Sequence, residues 1–478
     1  MRLVIAEKPS VAQSLAVVLG AGQRREGYLE GGGWLVSWCV GHLAELADAA
    51  AYDPAYAKWR KEDLPILPER WRFTISPDKR DQFDTLRTLL RREDVTKVVN
   101  ACDAGREGEL IFRTVYALAG CSKPISRLWI SSMEDEAIRE GFAHLRPGRE
   151  YDGLHQAALC RSKADWLVGI NATRLFSLLY GCTLNIGRVG SPTLALVVQR
   201  EVEIAAFQPE TFYTVELDCG GLTLAGERKP SKKEAQEAAA RCQGSTATVQ
   251  AVERREKTEK PPALFDLTTL QREANRTLGY TAQQTLDYLQ ALYDKKLSTY
   301  PRTDSRYLTD DMEAGVPALV EAAASICGVA APETVLTGQV CDSARVSDHH
   351  AVVPTASAGR ADLEALPIGE REILRLVSLG LLRAVCPPCR SAETCITAVC
   401  GGSTYAAKWR EVLSPGWKVY AQTADAEVGT GPDGLTEEQK LPVAAAKIKV
   451  GKTTPPKHHT DVIFCERKEW IGIEERSS

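Results

Sequence analysis

No run of about eighteen or more apolar residues occurs in this 478-residue sequence, so a membrane-spanning helix is not expected. A secretory signal is missing too. The opening MRLVIAEKPSV reads as a short strand running into polar residues, without apolar length or a small-residue cleavage site. A cytoplasmic protein is the expectation. The chain also lacks a basic excess: 59 Lys and Arg face 63 Asp and Glu, for a net charge of -4. That removes the bulk signature of a nucleic-acid binder, although a basic groove can sit on an acidic body. Paired cysteine spacing is nearly absent. The 14 cysteines are scattered and lack a secretory context, which predicts reduced thiols. CPPC (Cys386 to Cys389) is half of a zinc pattern, but Cys395 and Cys400 lie in a strand pattern and do not complete it. No solenoid-type repeat is present.

What remains is the material of a multidomain globular protein. Hydrophobic residues make up 44% and charged residues 26%, and the length prior gives roughly three domains. The first part reads as α/β. Arg2 to Ala6 is a buried-strand run, Ser10 and Gln13 form a capping box, and Gly20 ends the helix. Leu35 to Val40, Lys97 to Ala101 and Arg127 to Ser132 are further strands, with GELIFRTVYALAG as a helix between the last two. Strands alternating with helices predict a mostly parallel sheet. A helical stretch from about Tyr151 to Ala206 leads through the loop NIGRVGSP. A β section follows, with FYTVEL alternating and TCITAVC-GGS-TYAAKW as a hairpin. A helical block interrupts it, entered through RREKTEKPP; Asp266 caps one helix, and Thr281 with Gln284 box a second. TADAEVGTGPDGLTEEQK is a polar loop.

Four constellations carry possible chemistry. Glu7-Lys8 and ACDAGREGE place Glu7, Asp103 and Glu107 after strand ends, the edge where open α/β sheets bind ligands. Clustered carboxylates of this kind suit Mg²⁺, and a solvated loop before a capped helix would look the same. LSTYPRTDSRYL puts Tyr300 two residues before Arg302. A phenol needs help to become a nucleophile, and a guanidinium can hold a phosphate bidentately. Pro301 biases Tyr300 toward extended backbone. A plain helix-end turn has the same composition. SDHHAVVPT offers His349 and His350 as donors to phosphate or proton shuttles, or as one buried and one exposed histidine at a strand start. In NIGRVGSP the glycines allow close backbone approach and Arg188 suits phosphate, or the stretch is an ordinary glycine loop. Trp34, Trp38, Trp59 and Trp71 suit base stacking or core packing.

The order of these motifs resembles the type IA DNA topoisomerases, in particular the bacterial topoisomerase III branch. The resemblance rests on LVIAEKPSVA, VGHLAEL, ACDAGREGELIF, GINATR, IGRVGSPTLALV, LYDKKLSTYPRTDSRYL, SDHHAVVPT and KTTPPKHHT, from residue 3 to about 460. It implies a Toprim (Rossmann-like) α/β domain within a multidomain toroid of all-α and β parts. The expected division is Toprim 1–148, a helical DNA-groove segment 149–207, a β arch 208–260 and 403–478, and a helical domain 261–402 carrying the tyrosine. The implied activity is ATP-independent cleavage of single-stranded DNA by Tyr300, strand passage and resealing, which relaxes negatively supercoiled DNA or unlinks circles. Glu7 and Asp103, with Glu107 as a further candidate, would hold Mg²⁺. Lys8 would sit beside the scissile phosphate and Arg302 would position Tyr300. His349 matches the family's histidine. Arg161, Asp165 and Asn185, Ile186, Gly187, Arg188, Val189 and Gly190 would line the DNA groove. No membrane partner is implied, and protein partners are unknown.

Two departures shape further expectations. Many relatives carry D-x-D in the acidic loop, whereas Asp103 is followed by Ala104 and Gly105, so weaker or single Mg²⁺ binding is expected. After KTTPPKHHTD, the tail VIFCERKEWIGIEERSS does not resemble the family's continuation. A truncation or frameshift is the expectation, with the toroid incomplete at its carboxyl end and apolar groove surface exposed. The rival functions are a DNA-binding or DNA-cleaving remnant unable to complete passage, and a Toprim-type nuclease that ignores Tyr300. All of these readings of Tyr300 as nucleophile require the fold to bring the phenol to the acidic edge, with room for one phosphodiester between them.

Overall fold

The computed structural model describes residues 1–346, 349–421, 432 and 434–460. Strand Arg2–Ala6 lies at the centre of a seven-stranded sheet, pairing in parallel with Trp34–Trp38 on one side and Lys97–Ala101 on the other. Ile125–Arg127 adds a fourth parallel strand. The core is parallel, as the mostly parallel expectation had it, and the edges, Gln23–Arg25, Tyr28–Gly31 and Arg146–Pro147, pair antiparallel. Both faces are covered, as a parallel core requires. Leu3, Ile5, Leu35 and Val98 face one apolar cluster, and Val4, Ala6, Val36 and Val99 the other.

The first helix, Pro9–Leu19, corrects one local expectation. Pro9 takes the first helical turn, where its missing N–H costs nothing, so the cap is Lys8 and not Ser10. No side-chain cap bond forms there. Gly20 closes the helix at φ 73°, as its sequence position predicts. The helical block follows its caps closely. Asp266 accepts from Thr269 N–H, and Thr281 and Gln284 complete a reciprocal box at the start of Ala282–Asp294.

A second seven-stranded sheet runs antiparallel around Thr246–Glu259, Cys389–Cys400 and Ser403–Ser414. Gly401 and Gly402 make the predicted hairpin turn at positive φ. The domain boundary drawn at 402 therefore falls inside this sheet. Cys389–Cys400 pairs on both sides, so the helical block ends with Ile368–Ala384. Long-range pairing decides this, because the strand is continuous in sequence with the helix before it.

Helices Asp152–Tyr180 and Gly190–Ala206 expose Leu179, Tyr180, Leu194, Val198 and Val202. Among the described residues no helix is long and apolar enough to cross a membrane. The tail from 461 lies outside the described residues, as do most of the polar loop near 423–440 and Ser347 and Asp348.

Candidate active site

Glu7 follows the central strand and Asp103 follows its neighbour, so the parallel sheet delivers both carboxylates to one edge. Asp103 N–H donates to Glu7 Oε2 at 3.3 Å. The loop then turns into helix Arg106–Leu118. Gly108 permits the tight return: a Cβ there would stand 2.0 Å from the Asp103 carbonyl oxygen.

Tyr300 reaches the same edge from the helical block. Its N–H donates to Ser131 O at 3.2 Å, and its phenol donates to Asp103 Oδ2 at 3.3 Å. The ring packs edge-on against Tyr293, with centroids 5.5 Å apart, and lies 4.2 Å from the His349 ring. His349 bridges the two parts of the chain. Its Nδ1 meets Ser131 Oγ at 2.9 Å and its Nε2 meets the Ala104 carbonyl.

The electrostatics follow from burial. Glu7 is pushed up to about 7, first by desolvation and then by the charge of Asp103. Desolvation also raises Asp103, against the pull of Lys8 and Arg302. Burial raises the Tyr300 phenol well above its ordinary value, and the Asp103 charge adds to this while Arg302 opposes it. His349 is pushed down to about 4 by burial, so it is neutral at ordinary pH. Lys8 and Arg302 act on both carboxylates, and Arg127 acts on Asp103. A small gap beneath Asp103, of about 20 Å³, is lined by Val11, Leu15, Leu128 and Tyr293 among others. That holds roughly one water. The phenol and carboxylate are in direct contact, so the expected room for a phosphodiester is absent and the site is closed.

Two carboxylates whose proton affinity desolvation raises, with the Asp103 charge adding to it at Glu7, form a hard-oxygen pair suited to Mg²⁺. Glu107 is not gathered with them. It is held by His42 Nε2 at 3.1 Å, which lowers its pKa, and among the described residues no three His, Cys, Asp or Glu side chains come together to hold a metal. The same finding leaves Cys386 and Cys389 without a zinc cluster.

The groove residues form a neighbouring group. Asp165 accepts from Arg188 Nε at 2.5 Å, and Arg161 Nε stands 3.9 Å from it on the same helix face. Arg161 also acts on Glu107, which links this group to the acidic loop. Ile186 N–H donates to Thr173 Oγ1 and Gly187 N–H to Ser191 Oγ, fixing the loop that runs through Asn185, Val189 and Gly190. Asn185 and Arg188 are exposed. Trp71 packs on Trp166 and Trp34 on Phe142, while Trp59 is partly exposed beside Arg174.

One residue the sequence reading passed over organises the acidic edge. Arg127 is fully buried, pairs through Nε with Glu109 Oε1 at 2.8 Å, and donates to the carbonyls of Cys102 at 2.5 Å and Asp103 at 2.6 Å. Asn100 Nδ2 also donates to Glu109 Oε1, at 2.8 Å. The signal available was an arginine inside an apolar strand, with Glu109 on the inward face of the following helix.

A Toprim-like sheet whose acidic edge meets a tyrosine from a helical insertion defines a class: the type IA topoisomerase fold. A family model described as DNA topoisomerase matches residues 149–466, and one described as Toprim domain matches residues 2–133. The chain belongs to the DNA topoisomerase family. It is 39% identical over 479 residues to "DNA topoisomerase 3" of Bacillus subtilis, covering 95% of this chain and 65% of that protein. It is 40% identical over 438 residues to "DNA topoisomerase 3" of Bacillus cereus, covering 87% and 59%. The chain thus spans about two thirds or less of the length of these curated relatives. Full-length topoisomerase I of Thermotoga maritima shares the fold at a TM-score of 0.76 and 22% identity, over 100% of this chain and 76% of that one.

Proposed function

We propose that this chain cleaves single-stranded DNA by transesterification at Tyr300, as one part of relaxing negatively supercoiled DNA or unlinking DNA circles. The carrying observation is the Tyr300 phenol in hydrogen-bond contact with Asp103, at the edge that also holds Glu7. In this reading the site opens far enough to admit one phosphodiester. The Tyr300 oxygen then forms a bond to phosphorus, the bond from phosphorus to O3′ breaks, and the tyrosine carries the 5′-phosphate. The phenolic proton leaves to water as the bond to phosphorus forms, and the departing O3′ takes up a proton from water. Resealing is the reverse, so no ATP is consumed.

Arg302 is placed to offset the negative charge that builds on the phosphate, and Lys8, at the cap of the first helix, to hold the phosphate beside Glu7. His349 enters as a neutral imidazole that sets the docked position of the Tyr300 ring. Glu7 and Asp103 would hold Mg²⁺, which when bound would neutralise the carboxylates and bind phosphate oxygens. Arg161, Arg188 and the Asn185–Gly190 loop would guide the strand through phosphate contacts.

An end-labelled single-stranded oligonucleotide tests the reading. A covalent adduct with Mg²⁺ that disappears in Tyr300→Phe supports it. Cleavage that survives Tyr300→Phe shows a Toprim-type nuclease instead. Relaxation of a negatively supercoiled plasmid then tests whether the chain completes strand passage.

A further inference from the structure

Helix Ala282–Asp294 ends in a turn whose local physics calls for glycine. Lys296 N–H bonds to Tyr293 O at 2.9 Å and Leu297 N–H to Leu292 O at 2.9 Å, the paired bonds of a Schellman ending. The residue at the left-handed position is Lys296, at φ 63°. A side chain there costs about 1 kcal/mol or more relative to glycine. Thr355 Oγ1 donates to Lys296 O at 2.7 Å and helps hold the backbone in place. The turn itself gives no reason for a lysine.

The reason lies across the site. Lys296 Nζ pairs with Asp135 Oδ1 at 2.6 Å, on the first turn of helix Asp135–Ala143 in the α/β part. The adjacent Lys295 points the other way and pairs at 2.5 Å with Glu370, inside its own helical block. The left-handed residue therefore sends consecutive lysines to two different bodies. Four residues beyond Lys296 stands Tyr300, whose amide crosses the same junction to Ser131 O. The Lys296 contact lies at the partly exposed rim and the Tyr300 contact in the buried interior.

We propose that Lys296 and Asp135 form an electrostatic latch that seats the tyrosine-bearing block on the acidic edge, making Lys296 a positioning residue for Tyr300. The inference rests on the transesterification reading above for its purpose, since a strand can pass only if this junction opens. The latch is weak by construction. Exposed ion pairs contribute little and are screened by salt, which suits a contact that must release and re-form in every cycle. It sets how often the site opens, while Tyr300, Arg302 and the carboxylates carry the bond exchange.

Hydrogen–deuterium exchange of the full chain at low salt tests the latch without DNA, read at the peptide spanning Tyr300. Lys296→Gly and Asp135→Asn should each speed its exchange about two- to five-fold. Lys296→Gly should at the same time leave the melting temperature unchanged or raise it, because glycine fits the turn better. A merely structural lysine would not separate these two readouts. Combining Lys296→Asp with Asp135→Lys should return exchange to within about twofold of the parent. Unchanged exchange in both single variants, or no recovery in the swapped pair, overturns the latch. Adduct formation by the parent chain is scored separately: its absence overturns the function proposed above, and the exchange result still decides the latch.

Discussion

The Tyr300 phenol donates to Asp103 Oδ2 at 3.3 Å, joining residues 197 apart in the sequence. That bond occupies the proposed nucleophile and one candidate metal-binding carboxylate with each other. On the transesterification reading this contact must open before either group acts.

The acidic edge predicts an inverted pH response for the metal-free protein. The Glu7 carboxyl rises from 4.5 to about 7, so the folded chain keeps a proton that the unfolded chain has released. Its contribution to stability is complete below about pH 4.5 and is lost as pH rises through about 7, a change of roughly 3 kcal/mol at most. In EDTA the melting temperature should be lower at about pH 7.5 than at about pH 5.5, and Mg²⁺ should raise it more at the higher pH. Glu7→Gln should flatten both differences. His349 is pushed down from 6.5 to about 4, so its own contribution is complete above about pH 6.5 and is lost as pH falls; it opposes the Glu7 trend, and His349→Asn should widen the difference between about pH 5.5 and about pH 7.5. A flat profile in the parent chain would contradict this assignment.

The separation of Glu107 from the other carboxylates predicts the metal stoichiometry. Isothermal titration should give one Mg²⁺ per chain, with binding lost in Asp103→Asn. Glu107→Gln should weaken it less than about tenfold, because Glu107 is committed to His42 and acts on the site from a distance. Two tight Mg²⁺ ions per chain would show that Glu107 leaves His42 to complete a second site.

Arg127 and Glu109 predict a large loss of stability away from the nucleophile. Both side chains are out of water, and removing one strands the other's charge. Arg127→Ala should cost about 3–5 kcal/mol in urea unfolding. It should also weaken Mg²⁺ binding, because the guanidinium holds the Cys102 and Asp103 carbonyls. A loss below about 1 kcal/mol would mean that the loop holds itself.

Local physics was legible in the sequence wherever a few neighbouring residues decide the outcome. Gly20 ended its helix, Thr281 and Gln284 closed their box, and the Gly401-Gly402 hairpin formed where the pattern put it, whereas the strand expected at Arg127 to Ser132 lies instead at Ile125–Arg127. The run Tyr300-Pro301-Arg302 marked, by residue type alone, the segment that the fold brings to the acidic edge. Ser10 was misread for a local reason too, since Pro9 had already taken the first turn.

What the sequence could not hold were the partners. Glu107 turned to His42, Arg127 to Glu109 and Lys296 to Asp135. Each choice is made among groups far apart in the chain, by which side chains packing brings within a few ångströms and shields from water. Residue types and short-range spacing fixed the elements and the candidate chemistry. Only the tertiary fold decided that the phenol and the carboxylates meet, and that they meet in a closed site.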